Sequence, residues 1–156
     1  MFFYKAAKEN PNTDFLEWLN PKNKKKYTWG ETSTSIQKLA EVLKENLAQG
    51  DRCLLVSENR PEWMIADLAI MLANGITVPA YTTYTEKDYK YLIEDCEPSV
   101  IIVSNNEMHS KLKNIIQEKD FIKKVIVFDE FNNIENKDKY LKFDDIVNDD
   151  SNQNLK

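Results

Sequence analysis

Gly50-Asp51-Arg52-Cys53-Leu54-Leu55-Val56-Ser57-Glu58-Asn59-Arg60-Pro61-Glu62-Trp63 reads as turn, strand, loop and helix start in one continuous stretch. Gly50-Asp51 is a turn pair, and Arg52 to Val56 is a short, continuously apolar run. Pro61 suits a first helical position, where its missing N–H costs nothing. The same unit recurs along the chain. Ile76-Thr77-Val78-Pro79 follows Asn74-Gly75, Ser99-Val100-Ile101-Ile102-Val103 follows Glu97-Pro98, and Val125-Ile126-Val127-Phe128 follows Lys123-Lys124. The runs begin at residues 52, 76, 99 and 125, a spacing of about 24 residues that holds one strand, one helix and two short loops. Strands that are apolar throughout, rather than alternating, are covered by helices on both faces. The expected fold is therefore α/β, an open, mainly parallel sheet with flanking helices built from successive βα units.

The segments between the runs carry helical signals. Thr28-Trp29-Gly30-Glu31 fits a capping box, and Trp29, Ile36, Leu39, Ala40, Leu43 and Leu47 form one stripe that Gly50 is expected to end. From Pro61 to Ala73 a second helix is apolar nearly all round, with Asp67 its one mid-helix charge. Such a helix needs burial on most sides. It offers more apolar surface than four strands and three other helices would cover, so a neighbouring subdomain or subunit is expected against it. Trp63→Ala is expected to cost about 3–5 kcal/mol as a large-to-small core change. The chain by itself is expected to be aggregation-prone or molten. Thr85-Glu86-Lys87-Asp88 opens a third helix with a second capping box, and Asn106 to Lys119 makes a fourth. Beyond Phe128 the pattern weakens. Asn132-Asn133 and Asn136 read as loop, Tyr140 to Val147 as a short strand and the start of a helix, and Asp149 to Lys156 as disordered.

Composition excludes several classes. Of the net charge of −5, residues 129–150, with eight acidic and three basic side chains, account for the whole. The rest is balanced, which argues against nucleic acid as a partner. Lys24-Lys25-Lys26 reads as a solvated loop. No apolar run approaches the roughly 18 residues of a membrane span, and Met1-Phe2-Phe3-Tyr4-Lys5, with no h-region and small-residue cleavage site after it, is not expected to be a signal peptide. A cytoplasmic chain is expected, with peripheral membrane contact left open for a complete enzyme. Cys53 and Cys96 read as two buried reduced thiols. With His109 the single histidine and no CxxC, a zinc site has no support.

The three glycines, Gly30, Gly50 and Gly75, stand too far apart for a dinucleotide fingerprint or a P-loop, each of which needs close backbone approach to phosphate. No nucleophile elbow and no serine–histidine–acid set can be written. The carboxylate pairs Asp144/Asp145 and Asp149/Asp150 read as solvated surface. Ligands in open α/β sheets bind at the strands' carboxyl ends, which singles out Asn59, Arg60, Tyr81, Thr82 and Thr83. Each has a plainer reading beside it. Asn59 is a natural N-cap for the Pro61 helix, Glu58 favours that helix's N-terminus, and loop geometry explains Tyr81 to Tyr84 equally well.

Tyr27 to Glu31, then Gly50 to Trp63, then Gly75-Ile76-Thr77-Val78-Pro79-Ala80-Tyr81-Thr82-Thr83-Tyr84-Thr85 follow in order. In order and spacing, over about residues 5–128, the chain resembles the amino-terminal part of AMP-binding acyl-CoA synthetases, the adenylate-forming superfamily. Glu58 to Trp63 and Pro79 to Thr83 are most similar to the long-chain fatty acid–CoA ligase branch. The resemblance implies an enzyme that uses ATP and magnesium to turn a fatty acid into acyl-adenylate and pyrophosphate, after which coenzyme A displaces AMP to give acyl-CoA. It places that chemistry in a phosphate loop, an adenine-site motif and a carboxyl-terminal lysine that this sequence does not contain. No catalytic, cofactor-binding or metal-binding residue is carried over. ATP, Mg2+ and CoA are expected for the complete enzyme and none for this chain.

Residues 1–128 are then expected to be an amino-terminal α/β subdomain, beginning at a natural Met1. Residues 129–156 would be an acidic, weakly ordered tail leading toward a remainder that packs against the Trp63 helix. Two alternatives stay open: a free-standing Rossmann- or flavodoxin-like small-ligand module, and a non-catalytic subunit of a split synthetase.

Overall fold

The computed structural model describes residues 2–20, 24–129 and 138–149. In chain order its elements are α1 (Phe2–Glu9), β1 (Asp14–Glu17), β2 (Lys26–Thr28), α2 (Trp29–Asn46), β3 (Arg52–Val56), α3 (Pro61–Leu72), β4 (Ile76–Ala80), α4 (Glu86–Cys96), β5 (Val100–Val103), α5 (Asn106–Glu118), β6 (Lys124–Val127), β7 (Tyr140–Lys142) and α6 (Phe143–Asn148). All four apolar runs are strands, and they lie in one five-stranded sheet in the order β4-β3-β5-β6-β7. Every pairing in it is parallel. The chain steps from β3 to one neighbour, β4, and then crosses back to the other, β5. This is the flavodoxin-like order, and it puts the topological switch point between β3 and β5.

Alternation along each strand divides the core in two. Cys53 and Leu55 of β3 face α2, α3 and α6. Leu54 and Val56 face α4 and α5 on the opposite side. Residues 53–56 and 100–103 are wholly buried, as their unbroken apolar character requires. β4 departs from that expectation: Ile76 and Pro79 are exposed, because β4 is an edge strand. Proline is tolerated there.

Both capping boxes form. Glu31 N donates to Thr28 Oγ1 at 3.2 Å and Thr28 N to Glu31 Oε2 at 2.8 Å, and Thr85 with Asp88 repeats the pattern ahead of α4. Helix α2 ends at Asn46, earlier than the Gly50 stop expected. Gly50, at φ +82°, instead makes the left-handed turn into β3. The N-cap of α3 is Arg60 and not Asn59. Pro61 forces the residue before it into an extended conformation, so Arg60 takes the cap position (φ −152°, ψ 160°) and Asn59 falls one place outside the helix. Cys53 is fully buried, but Cys96, on the last turn of α4, is only half-buried.

The amino-terminal segment carries structure that the sequence pattern did not announce. Strands β1 and β2 pair antiparallel in a sheet of their own. The hairpin docks on α2, with the Phe15 ring stacked on Trp29 at 3.7 Å between centroids. Gly30 lets the docking be close, since a Cβ there would sit 2.9 Å from the Pro11 carbonyl oxygen. The Lys24 to Lys26 run is therefore not simply a solvated loop: Lys26 begins β2, and Lys25 reaches a buried carboxylate. At the other end the sheet continues past residue 128. Strand β7 pairs with β6, and Phe143 of α6 is fully buried against Phe128 at 5.3 Å. The expected loop at 132–136 and the end of the chain from 150 onward lie outside the described residues. Asp144 and Asp145 are exposed, Asp144 lying 3.3 Å from Lys25 Nζ.

Candidate functional site

The carboxyl ends of β3 and β4 deliver Ser57-Glu58-Asn59 and Tyr81-Thr82 to one rim of the sheet. There a cleft of about 550 Å³ opens, lined by Ser57, Asn59, Trp63, Pro79, Tyr81 and Thr82 among others. A second, larger cleft of about 980 Å³ lies on the other side of Glu58 and Asn59, where Arg60, Asp129 and Met64 meet Leu16, Trp18 and Leu19. Of the five residues singled out from sequence, Asn59, Tyr81 and Thr82 thus share one cleft, while Arg60 belongs to the second. Thr83 is exposed and lines neither.

The loop after β4 is held by its own hydrogen bonds. Tyr84 N donates to Tyr81 O at 3.2 Å, and Tyr89 OH donates to the same oxygen at 2.7 Å. Lys111 Nζ donates to Thr82 O at 2.9 Å. These bonds use backbone carbonyls, and Tyr81 as a residue is 72% exposed.

Arg60 is different. Its guanidinium is buried, lying 4.4 Å from the Trp18 ring centroid and 5.4 Å from that of Phe128. Nε donates to Glu62 Oε2 at 2.8 Å, and Nη1 donates to Asp129 Oδ1 at 2.9 Å. Glu58 Oε1 lies 3.6 Å from Nη1. Glu62, on the first turn of α3, is fully buried and is the centre of the cluster. Its other oxygen faces Lys25 Nζ at 2.9 Å and accepts from Tyr27 OH at 3.1 Å. Burial by itself would raise the Glu62 pKa, but the hydrogen bonds and charges of Arg60 and Lys25 outweigh it and hold the carboxyl below its ordinary value. Burial likewise acts to lower the Arg60 and Lys25 pKa values, and their bonds to Glu62 reverse that, so both stay charged. Tyr27 is pushed up, first by burial and then by the Glu62 charge, and stays a neutral phenol.

Every charge in this cluster is matched by a partner. It ties together the hairpin, the start of α3 and the end of β6. The sequence hid it because Glu62 reads as a routine acidic residue in a first helical turn. The signal available was the placement of one acid and one base on either side of Pro61, in a helix otherwise almost without charge.

A phosphate ligand does not fit these residues. Gly50 and Gly75 stand at the amino ends of β3 and β4, the rim opposite the clefts, and Gly30 lies within α2. Arg60 is committed to carboxylates. No group of three or more His, Cys, Asp or Glu among the described residues could hold a metal ion, and none of the described helices is long and apolar enough to cross a membrane.

The family model described as AMP-binding enzyme matches residues 3–154. The human mitochondrial acyl-coenzyme A synthetase ACSM3 is 30% identical over 105 residues, which cover 65% of this chain and 18% of that protein. A rat long-chain-fatty-acid–CoA ligase, ACSBG1, is 24% identical over 129 residues, 82% of this chain and 18% of its own. A long-chain-fatty-acid–CoA ligase of Bacillus subtilis (strain 168) is 37% identical over 79 residues, 50% of this chain and 14% of its own. The chain thus spans less than a fifth of the length of these relatives. In fold it superposes on the crystal structure of the anthranilate CoA ligase AuaEII in complex with anthranoyl-AMP. The TM-score is 0.79 at 20% identity, over 93% of this chain and 26% of that one. Through a match that runs over residues 3–154, the chain belongs to the AMP-binding enzyme family.

Proposed function

We propose that the chain is the amino-terminal scaffold of a long-chain fatty acid–CoA ligase and does no chemistry by itself. In the complete enzyme a fatty acid and ATP give acyl-adenylate and pyrophosphate, and coenzyme A then takes the acyl group and releases AMP. ATP, Mg2+ and CoA would be held by other parts of that enzyme. The observation that carries the reading is the placement of the glycines. The ligand-facing loops after β3 and β4 hold none, and the one buried cation there is neutralised by Glu62 and Asp129. Such loops can wall a pocket but cannot cradle a triphosphate. Trp63, Pro79 and Tyr81 would give that wall an apolar surface suited to an acyl chain.

The test is fatty-acid-dependent ATP–pyrophosphate exchange. The chain alone is expected to show none. A hybrid in which residues 1–156 replace the matched part of the Bacillus ligase is expected to exchange with long-chain acids in preference to aromatic ones. Exchange by the chain alone would overturn the scaffold reading, and a hybrid that prefers an aromatic acid would overturn the substrate class. A free-standing small-ligand module is the second reading, favoured by the flavodoxin-like strand order. Saturable binding of a flavin mononucleotide to the chain would decide for it.

A further inference from the structure

The turn after β4 is braced from the α4–α5 layer. Tyr84 N closes it on Tyr81 O at 3.2 Å, the bond of a four-residue turn. Two side chains then take its carbonyls. Tyr89 OH, from α4, donates to Tyr81 O at 2.7 Å, and Lys111 Nζ, from α5, donates to Thr82 O at 2.9 Å. Three rings in edge-on series run the same way, Tyr81 on Tyr84 at 5.5 Å and Tyr84 on Tyr89 at 5.7 Å. Tyr89 itself is fully buried in the α4–α5 core. One residue after Tyr84, Thr85 begins the capping box of α4.

Both braces act on the backbone, and the side chains of the residues they hold belong to the smaller cleft. Tyr81 and Thr82 line it together with Ser57, Asn59 and Trp63, and Trp63 packs with the other layer, that of α2 and α3. The cleft is thus walled from both layers, and on the β4 side its wall is only as fixed as Tyr89 and Lys111 make it. The two groups suit that task. Packing locks the Tyr89 ring, and its hydroxyl reaches the carbonyl at the usual length of an O–H···O bond. Lys111 supplies a charge-assisted bond, the stronger kind, and stays partly exposed with Glu107 Oε1 at 3.9 Å. Binding sites are held in a productive geometry by groups of this sort, which touch the wall and not the ligand.

We infer that Tyr89 and Lys111 are positioning residues for acid binding, which fix the Tyr81–Thr82 turn from the α4–α5 layer as a rigid wall of the smaller cleft. The inference rests on the reading of that cleft as the acyl wall of a fatty acid–CoA ligase, and names what sets its shape. A wall ordered before the acid arrives lowers the cost of binding and leaves the chemical step alone. Loss of a brace therefore appears in the KM for the acid and not in kcat.

The experiment uses the hybrid in which residues 1–156 replace the matched part of the Bacillus ligase, and measures KM and kcat for acyl-CoA formation from its preferred acid. Tyr89→Phe is expected to raise the KM for the acid about threefold and Lys111→Met about tenfold. The kcat and the KM for ATP are expected to stay within about twofold of the parent hybrid. Lys111→Arg keeps a charged donor and is expected to recover most of the loss. In a folded, active hybrid, equal rises in both KM values, a rise in neither, or a Lys111→Arg as poor as Lys111→Met overturns the inference. If the hybrid is inactive or does not fold, amide exchange in the 156-residue chain decides. A Tyr84 amide that exchanges roughly tenfold faster in both Tyr89→Phe and Lys111→Met, with β3 and β5 unchanged, supports the inference. A Tyr84 amide as protected as in the parent chain overturns it. The substrate reading fails separately. A hybrid that prefers an aromatic acid and still shows the split keeps the positioning role and loses the proposed substrate class. One that prefers long-chain acids, with an acid KM that neither variant moves, does the reverse.

Discussion

Glu62 shows how a single side chain can be decided by partners far away in sequence. A carboxylate with no exposed surface is tolerable only when paired and hydrogen-bonded, and this one has Arg60, Lys25 and Tyr27 around it. Glu62→Gln leaves two buried or half-buried cations facing a neutral amide, so it is expected to destabilise the chain by about 3–5 kcal/mol. Urea unfolding measures this, and a loss under about 1 kcal/mol would mean the cluster is solvated. His109 makes a second case. Its Nε2 lies 2.7 Å from Tyr140 OH across the gap between α5 and β7. Burial first, and the Lys113 charge second, depress its pKa. A histidine depressed in the folded state favours the neutral form there. Stability is therefore complete above the unfolded value of about 6.5 and declines as pH falls from that value through the folded one. Urea midpoints near about pH 7.5 and about pH 5.5 are expected to differ for the wild type by more than for His109→Gln. An equal difference in both would place the acid sensitivity elsewhere. Neither partnership was legible in the sequence. Lys25 and Glu62, and His109 and Tyr140, meet only once the fold brings separate elements together.

The elements themselves were largely legible, because what makes them is local. Apolar runs flanked by turn residues gave β3, β4, β5 and β6, and two capping boxes gave the starts of α2 and α4. Thr28→Ala and Thr85→Ala each remove one box and are each expected to cost about 1 kcal/mol, read from denaturant midpoints. A negligible change at Thr28 would show that the hairpin, rather than the cap, fixes where α2 begins. Local signals failed where a long-range contact decides the conformation. Strands β1 and β2 are three or four residues long without strict alternation, and their pairing is settled by docking on Trp29. The N-cap of α3 was misplaced by one residue because the constraint from Pro61 on Arg60 outranks the capping preference of Asn59. Trp63, expected in the core, is half-buried and lines the smaller cleft. Trp63→Ala is therefore expected to cost less than the about 3–5 kcal/mol of a full core truncation.

At the scale of the whole molecule, a flavodoxin-ordered sheet presents, among the described residues, loops after β3 and β4 that hold no glycine and a buried Arg60 that is paired with carboxylates, beside a helix whose Met64, Met71 and Leu72 are exposed. The sequence foresaw the uncovered helix from apolar content alone. It could not foresee the two-stranded sheet, whose strands it did not reveal, or the larger cleft, which is assembled from the hairpin, α3 and the end of β6. The account stands on the claim that this α/β layer does not hold ATP without the rest of the family's chain. Titration of the isotope-labelled 156-residue chain with MgATP, followed by amide NMR, tests that most directly. The account expects no saturable shifts at Ser57 to Arg60 or Tyr81 to Thr83 below roughly millimolar nucleotide, an affinity weaker than about 4 kcal/mol. Saturable shifts at those amides in the micromolar range would contradict it.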